Sequence, residues 1–111
     1  MMAKLECTIR GEFSQILNKI VDGVLNASVS ATLEDSTDYS CGDVRCSVRV
    51  FERYSYFGGN RVSMNVTLFQ AQRGIVHISA ITSGGSQAVF FKINTIGEES
   101  FLETLEDILR N

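Results

Sequence analysis

A stretch in the middle of the chain constrains the fold more than any other. Val44, Cys46, Val48 and Val50 fall on one side and Arg45, Ser47, Arg49, Phe51 and Arg53 on the other. That is a period of two, which a β-strand turns into two separate faces. A strand with one aliphatic and one polar side belongs in an antiparallel sheet that is dry on one face and wet on the other. The pattern predicts that the valine row packs inward and the arginine row meets solvent.

Other segments add to this sheet. Leu5, Cys7 and Ile9 alternate with Lys4, Glu6, Thr8 and Arg10 as a first strand, and Gly11 ends it. The spacing then becomes helical, with Phe13, Ile16, Leu17, Ile20, Val21, Val24 and Leu25 on one face. Val29, Ala31 and Leu33 return to alternation, and the polar run Glu34 to Asp43 reads as a loop. After Arg53, Gly58-Gly59-Asn60 predicts a hairpin into Val62, Met64, Val66 and Leu68, and Arg73-Gly74 a second reversal. Residues 75 to 81 are apolar at 75, 76, 78 and 81, which leaves their facing open. Ser83-Gly84-Gly85-Ser86 reads as a turn, and Gln87 to Ile93 as a last strand with Val89, Phe91 and Ile93 alternating. Phe101, Leu102, Leu105, Ile108 and Leu109 then repeat at helical spacing, behind Glu98 and Glu99, whose charges suit a helix N-terminal end. The expected fold class is α+β: two layers, an antiparallel sheet of about five to six strands, and two helices on one face, in the order strand, helix, strands, helix.

Size and composition bound what such a chain does. Its 111 residues suit a single domain spanning residues 1–111, and 44% hydrophobic with 21% charged residues is the balance of a self-folding globular protein. No signal peptide opens the sequence and no apolar run reaches membrane-spanning length, so a cytoplasmic protein with no membrane role is expected. Cys7, Cys41 and Cys46 are an odd number without an export signal, which argues for reduced thiols. With His77 as the sole histidine they make no plausible zinc set, and no metal or cofactor is expected. Asn26-Ala27-Ser28 and Asn65-Val66-Thr67 have the form of glycosylation acceptors, which carry no weight without secretion.

The stretches Asp43-Val44-Arg45-Cys46, Phe51-Glu52-Arg53-Tyr54, Ala80 to Ala88 and Gly97-Glu98-Glu99 resemble a family of short, uncharacterised bacterial proteins, mainly from Gram-positive bacteria. The resemblance runs over nearly the whole chain and implies a stand-alone bacterial cytoplasmic protein. As a domain of unknown function, the family supplies no catalytic or binding residues. The element order is also similar to that of the TATA-binding-protein-like and helix-grip folds, an analogy of topology that carries no function.

Charge is unevenly divided along the chain. Residues 44 to 92 carry Arg45, Arg49, Arg53, Arg61, Arg73 and Lys92 against Glu52 alone, whereas the segments before and after are acidic. If the valine row is inward, Arg45, Arg49, Phe51, Arg53 and Arg61 form an outer mosaic of guanidinium and ring. That mosaic suits a protein partner or self-association, a homodimer included. A polar outer face is also what any one-sided sheet must have. Nucleic acid ranks below protein, because a pI near 5.0 repels the phosphate backbone everywhere except at this patch.

Three lesser candidates remain. Ser83, Gly84, Gly85 and Ser86 offer backbone N–H groups to an anion, but lack the lysine of a P-loop and a following helix, so the stretch reads first as a hairpin turn and only weakly as an anion site. His77 is a candidate general base for a small enzyme or ligand carrier, with Cys41 the exposed thiol and Cys7 and Cys46 buried among core residues. Glu98, Glu99, Glu103, Glu106 and Asp107 read as the solvated face of the last helix rather than as paired catalytic acids.

Overall fold

The computed structural model describes residues 2–55, 60–84 and 91–110, with side chains at all of these except 2, 55, 60 and 91–100. The elements are β1 (Met2–Arg10), α1 (Phe13–Ala27), β2 (Thr32–Cys41), β3 (Val44–Ser55), β4 (Asn60–Gln70), β5 (Ile75–Gly84) and α2 (Phe91–Arg110). The strands form one open antiparallel sheet in the order β1-β5-β4-β3-β2, giving an α+β fold of five strands and two helices. Among the described residues no helix is long and apolar enough to cross a membrane.

β4 sets the sense of the sheet. Val62, Met64, Val66 and Leu68 on one of its faces are at most 1% exposed. The register places Val66 opposite both Ala80 of β5 and Arg49 of β3, and Met64 opposite Phe51. The core face of β5 therefore carries Val76, Ile78, Ala80 and Thr82, all buried, which settles the facing of residues 75 to 81. Ala3, Leu5, Cys7 and Ile9 of β1 pack at the edge of the same core.

α1 forms where its spacing predicts. Phe13, Leu17, Ile20 and Val24 are buried, a step of four and three that makes one stripe. Glu12 caps it, its Oε1 accepting from the Gln15 N–H at 2.9 Å and its Oε2 from the Ser14 N–H at 3.1 Å. Those two N–H groups, with a smaller contribution from Arg45, hold the Glu12 carboxyl below its ordinary range. Gly11 ties the helix start to the β4–β5 turn, its N–H donating to the Gly74 carbonyl at 3.0 Å. The two helices touch closely at Gly23, where an added Cβ would lie 2.7 Å from Ile108 of α2.

Three expectations are corrected. Glu34 to Cys41, read as loop, lies within strand β2, which pairs with β3 throughout and carries a bulge between Leu33 and Asp35. Each of its ten residues is exposed; an edge strand off the core margin has no face to bury, so no apolar alternation marks it. Gly42 then makes the two-residue turn into β3 with φ +60°, as a type II′ hairpin requires at its first loop position. The expected last strand over 87–93 is not found at its end: 91–93 open α2, and 87–90 lie outside the described residues. Alternation at three positions is too short to separate a period of 2 from one of 3.6.

The third correction inverts β3. Ser47 and Phe51 are 2% and 0% exposed, while Val44 is 42% exposed. The row Arg45, Ser47, Arg49, Phe51 and Arg53 thus faces the core, and Val44, Cys46, Val48 and Val50 line the open face. β3 lies beside the edge strand, where the core thins, and long arginine stems fill such a margin while their charged heads reach water or a ring.

Candidate functional site

The five residues expected to form one outer patch are split by the sheet. Phe51 is in the core, and Arg45, Arg49 and Arg53 share its face, so only Arg61 remains on the open side. The Arg45 guanidinium lies 4.3 Å from the centre of the Phe13 ring of α1 and donates to Ser14 Oγ at 3.0 Å. Arg53 repeats the arrangement against α2, 4.4 Å over Phe101 with a 3.2 Å hydrogen bond to Thr104 Oγ1; burial pushes its pKa down. Arg49 forks onto Asp38 of β2 at 3.0 and 3.3 Å. Ser47 donates to the same carboxylate at 2.5 Å. The Ser47 hydroxyl first, and Arg49 second, hold the Asp38 carboxyl below the usual range. Arg61 pairs with Glu52 at 2.9 Å on the open face.

These arginines therefore brace the fold more than they offer a continuous basic surface. Each guanidinium head that reaches a ring or carboxylate closes a gap between β3 and a neighbouring element.

The open face has a different character. Register aligns Tyr39, Cys46, Phe69, His77 and Thr8 in one row across all five strands. Tyr39 is 70% exposed and Phe69 42%. The Phe69 and His77 rings stack with centres 6.4 Å apart, and His77 Nδ1 lies 3.0 Å from Thr8 Oγ1. The next row holds Thr37, Val48, Thr67, Ser79 and Glu6, and a third Asp35, Val50, Asn65, Ile81 and Lys4. The middle of the face is aliphatic, aromatic and hydroxylic. Its charges sit toward the ends and edges, three positive (Lys4, Arg10, Arg61) and three negative (Glu6, Asp35, Glu52).

Of the remaining candidates, His77 and Cys7 line one hollow of about 310 Å³ with Thr8 and Phe69; the others lie apart. Cys41 and His77 are on β2 and β5, with β3 and β4 between them, about 14 Å of sheet at the usual strand spacing. Cys41 is exposed as expected, but Cys46 is half-buried on the open face rather than in the core. Cys7 does sit against the core, and burial raises its thiol pKa, with Glu106 adding to the effect. Ser83 and Gly84 end β5, and Ser83 Oγ lies 2.8 Å from Ser63 Oγ, a cross-strand contact; Gly85 and Ser86 lie outside the described residues. Glu103 and Glu106 of α2 carry no mutual hydrogen bond among the described residues, and Glu106 pairs with Arg110 at 3.6 Å.

Tyr39 leaves no signal in the sequence because its segment has no alternation, and the Val44 to Val50 row leaves none because a valine-rich row reads as inward. Phe69 is the available signal: an aromatic on the polar side of β4, in register with Cys46 and His77.

A protein-family model described as a family of unknown function (DUF6054) matches residues 2–111. The chain belongs to this family. No curated protein matches it. Among solved structures it is similar to the protein XoxI from Bacillus cereus, 11% identical over 96% of this chain and 92% of that one, with a TM-score of 0.45. An uncharacterized protein from Bacillus thuringiensis is 13% identical over 100% of both chains, with a TM-score of 0.42. Ginseng major latex-like protein 151 from Panax ginseng is 10% identical over 98% of this chain and 95% of that one, with a TM-score of 0.29. Membership in the family assigns no ligand and no residue roles, so the site rests on its own geometry.

Proposed function

We propose that this protein is a non-enzymatic, cytoplasmic assembly module that self-associates through the open face of its sheet. The observation that carries the reading is the row Tyr39, Cys46, Phe69 and His77 with Val44 and Val48 beside it, which holds no Asp, Glu, Lys or Arg. The ring contacts of Arg45 with α1 and Arg53 with α2 support placing both helices on the opposite face. That is the two-layer plan of the TATA-binding-protein-like and helix-grip folds, and it leaves the open face bare.

The occupant that fits is a second copy of the chain. Five strands of about ten residues present roughly 24 by 33 Å, or about 800 Å², the area each partner contributes to a standard stable interface. Two such faces stack about 10 Å apart in aligned sheet packing. A face with equal numbers of each charge is not repelled by its own copy, although the whole chain carries −3. With the arginines of β3 turned to the core, the face has no basic stripe for nucleic acid to follow.

Sedimentation equilibrium tests this. A monomer–dimer equilibrium with a dissociation constant of about 1 µM or tighter is expected, and Phe69→Asp weakens it about 100-fold by placing a charge in the dry centre. Wild-type protein that stays monomeric to about 1 mM, or a folded Phe69→Asp protein with unchanged association, defeats the reading.

A further inference from the structure

A cleft of about 450 Å³ opens at one end of the sheet, where the start of α1 (Gly11, Glu12, Phe13), the β2–β3 turn (Gly42, Asp43) and the β4–β5 turn (Arg73, Gly74) converge over Arg45 and Gln70. Its size is within the range of small-molecule sites. It lies on the Arg45 side of β3, away from the row of Tyr39 and Phe69, and its occupancy is independent of the assembly reading above.

Two groups in this cleft are incompletely used. Arg49, Arg61, Arg73 and Arg110 each have a carboxylate partner, but among the described residues none comes within ion-pair distance of Arg45. Its guanidinium rests on Phe13 and spends one N–H on Ser14, leaving further donors of its planar fork. Gln70, directly opposite Arg45 in the register, is 4% exposed. Its Nε2 donates to the Asp43 carbonyl at 2.8 Å. A carbonyl only accepts, so this bond fixes the amide orientation and leaves Gln70 Oε1 as a buried acceptor. No described residue donates to it, and a buried acceptor without a donor is costly.

Together, an unpaired guanidinium fork and a buried carbonyl oxygen specify a ligand with a planar anion beside a hydrogen-bond donor. The other charges narrow the class. Asp43 is tied to Arg73 at 2.8 Å, and Glu12 is committed to the α1 N–H groups. Both carboxylates line the cleft with Arg45 and Arg73, so its four charges sum to zero; a carboxylate adds one negative charge to it, whereas a phosphate dianion would add two beside two carboxylates with Arg45 as its single partner. We infer that the cleft binds a small α-carboxylate bearing a neighbouring N–H or O–H donor, either a free amino or hydroxy acid or the carboxyl end of a peptide. Arg45 grips the carboxylate, and Gln70 Oε1 accepts from the donor.

Amide NMR titration of the full chain tests this, with L-alanine, L-lactate, N-acetyl-L-alanine, acetate and inorganic phosphate as separate probes. L-alanine, L-lactate or N-acetyl-L-alanine is expected to shift the amides of Gly11 to Ser14, Gly42, Asp43 and Gly74 with a dissociation constant of about 1 mM or tighter. Acetate, lacking the donor, binds about tenfold more weakly, and phosphate more weakly still. Preference for N-acetyl-L-alanine identifies a peptide end as the source, and preference for L-alanine a free amino acid. Arg45→Met abolishes the local shifts; Arg45→Lys keeps the charge and the fold but loses the fork, and weakens binding about tenfold or more. Phosphate binding as tight as any carboxylate, shifts scattered over the surface, no saturation by about 50 mM, or equal affinity in Arg45→Lys overturns the inference.

Discussion

Asp38 stands on the edge strand with its side chain 59% exposed, while the Arg49 side chain it pairs with is only 14% exposed. Ser47, which donates to it, is 2% exposed. The carboxylate itself gains little from a partner in water; removing it leaves the buried Ser47 hydroxyl without its acceptor and the mostly buried Arg49 guanidinium with only the Val48 and Thr37 carbonyls. Asp38→Ala is therefore expected to lower unfolding free energy at pH 7 by about 1–3 kcal/mol. The pH dependence has a definite sign. Ser47 and Arg49 depress the folded pKa of Asp38, so its contribution is complete above the unfolded value, about 3.9, and is lost as pH falls through the folded one. Urea unfolding of wild type and Asp38→Ala at pH 7 and pH 2.5 should show the gap between them narrowing in acid. A gap of the same size at both pH values would mean the ionised carboxylate is not what holds Arg49.

At the scale of elements, Gly23 decides how closely α1 and α2 approach. A Cβ there would meet Ile108 Cγ1 and Cδ1 at 2.7 Å and Cγ2 at 2.9 Å, most of a stiff β-branched side chain rather than one flexible end. Gly23→Ala gains about 1 kcal/mol of helix propensity but overpacks the helix crossing by about 1–3 kcal/mol, so net destabilisation is expected. In the Ile108→Ala background the clash is gone, and the same substitution should stabilise; a double-mutant cycle by chemical denaturation reads the change of sign. Elements also differ in what their sequences disclose. α1 was legible because four buried residues at steps of four and three are a helix signal with little competition. β2 was not, because a fully exposed edge strand is held by its ladder to β3, and no residue pattern records a ladder. β3 was legible as a strand but not in its sense: two valine-rich rows, on β3 and β4, compete for the core, and pairing with β4 turns the β3 row outward. Amide exchange should follow the same division. The inner amides of β4 are expected to exchange only on global unfolding, whereas β2 amides without a β3 partner exchange early; uniform protection across both strands would contradict this.

For the whole molecule, the charge segregation visible in the sequence does not map onto a working surface. The arginines of β3 are drawn to Phe13, Asp38 and Phe101, and the surface they vacate is the one proposed for assembly. The carboxylate cleft and that surface then lie on opposite sides of one sheet, yet they meet in the chain: Arg45 sits between Val44 and Cys46, whose side chains point to the other face. Whether ligand and assembly influence each other depends on how far β3 yields. β3 is hydrogen-bonded to β2 on one side and β4 on the other along nearly its whole length, and Arg45 is further fixed by Phe13 and Ser14, so a shift of the strand would break two ladders at once. A ligand shifts an equilibrium only by its differential affinity for two states. L-alanine affinity is therefore expected to agree within about twofold between wild type and Phe69→Asp, and the dimer dissociation constant within about twofold with and without saturating L-alanine. Linkage requires the two ratios to match, so each checks the other. A tenfold change in both would show that β3 transmits between its faces, and would make the cleft a regulator of assembly instead of an independent site.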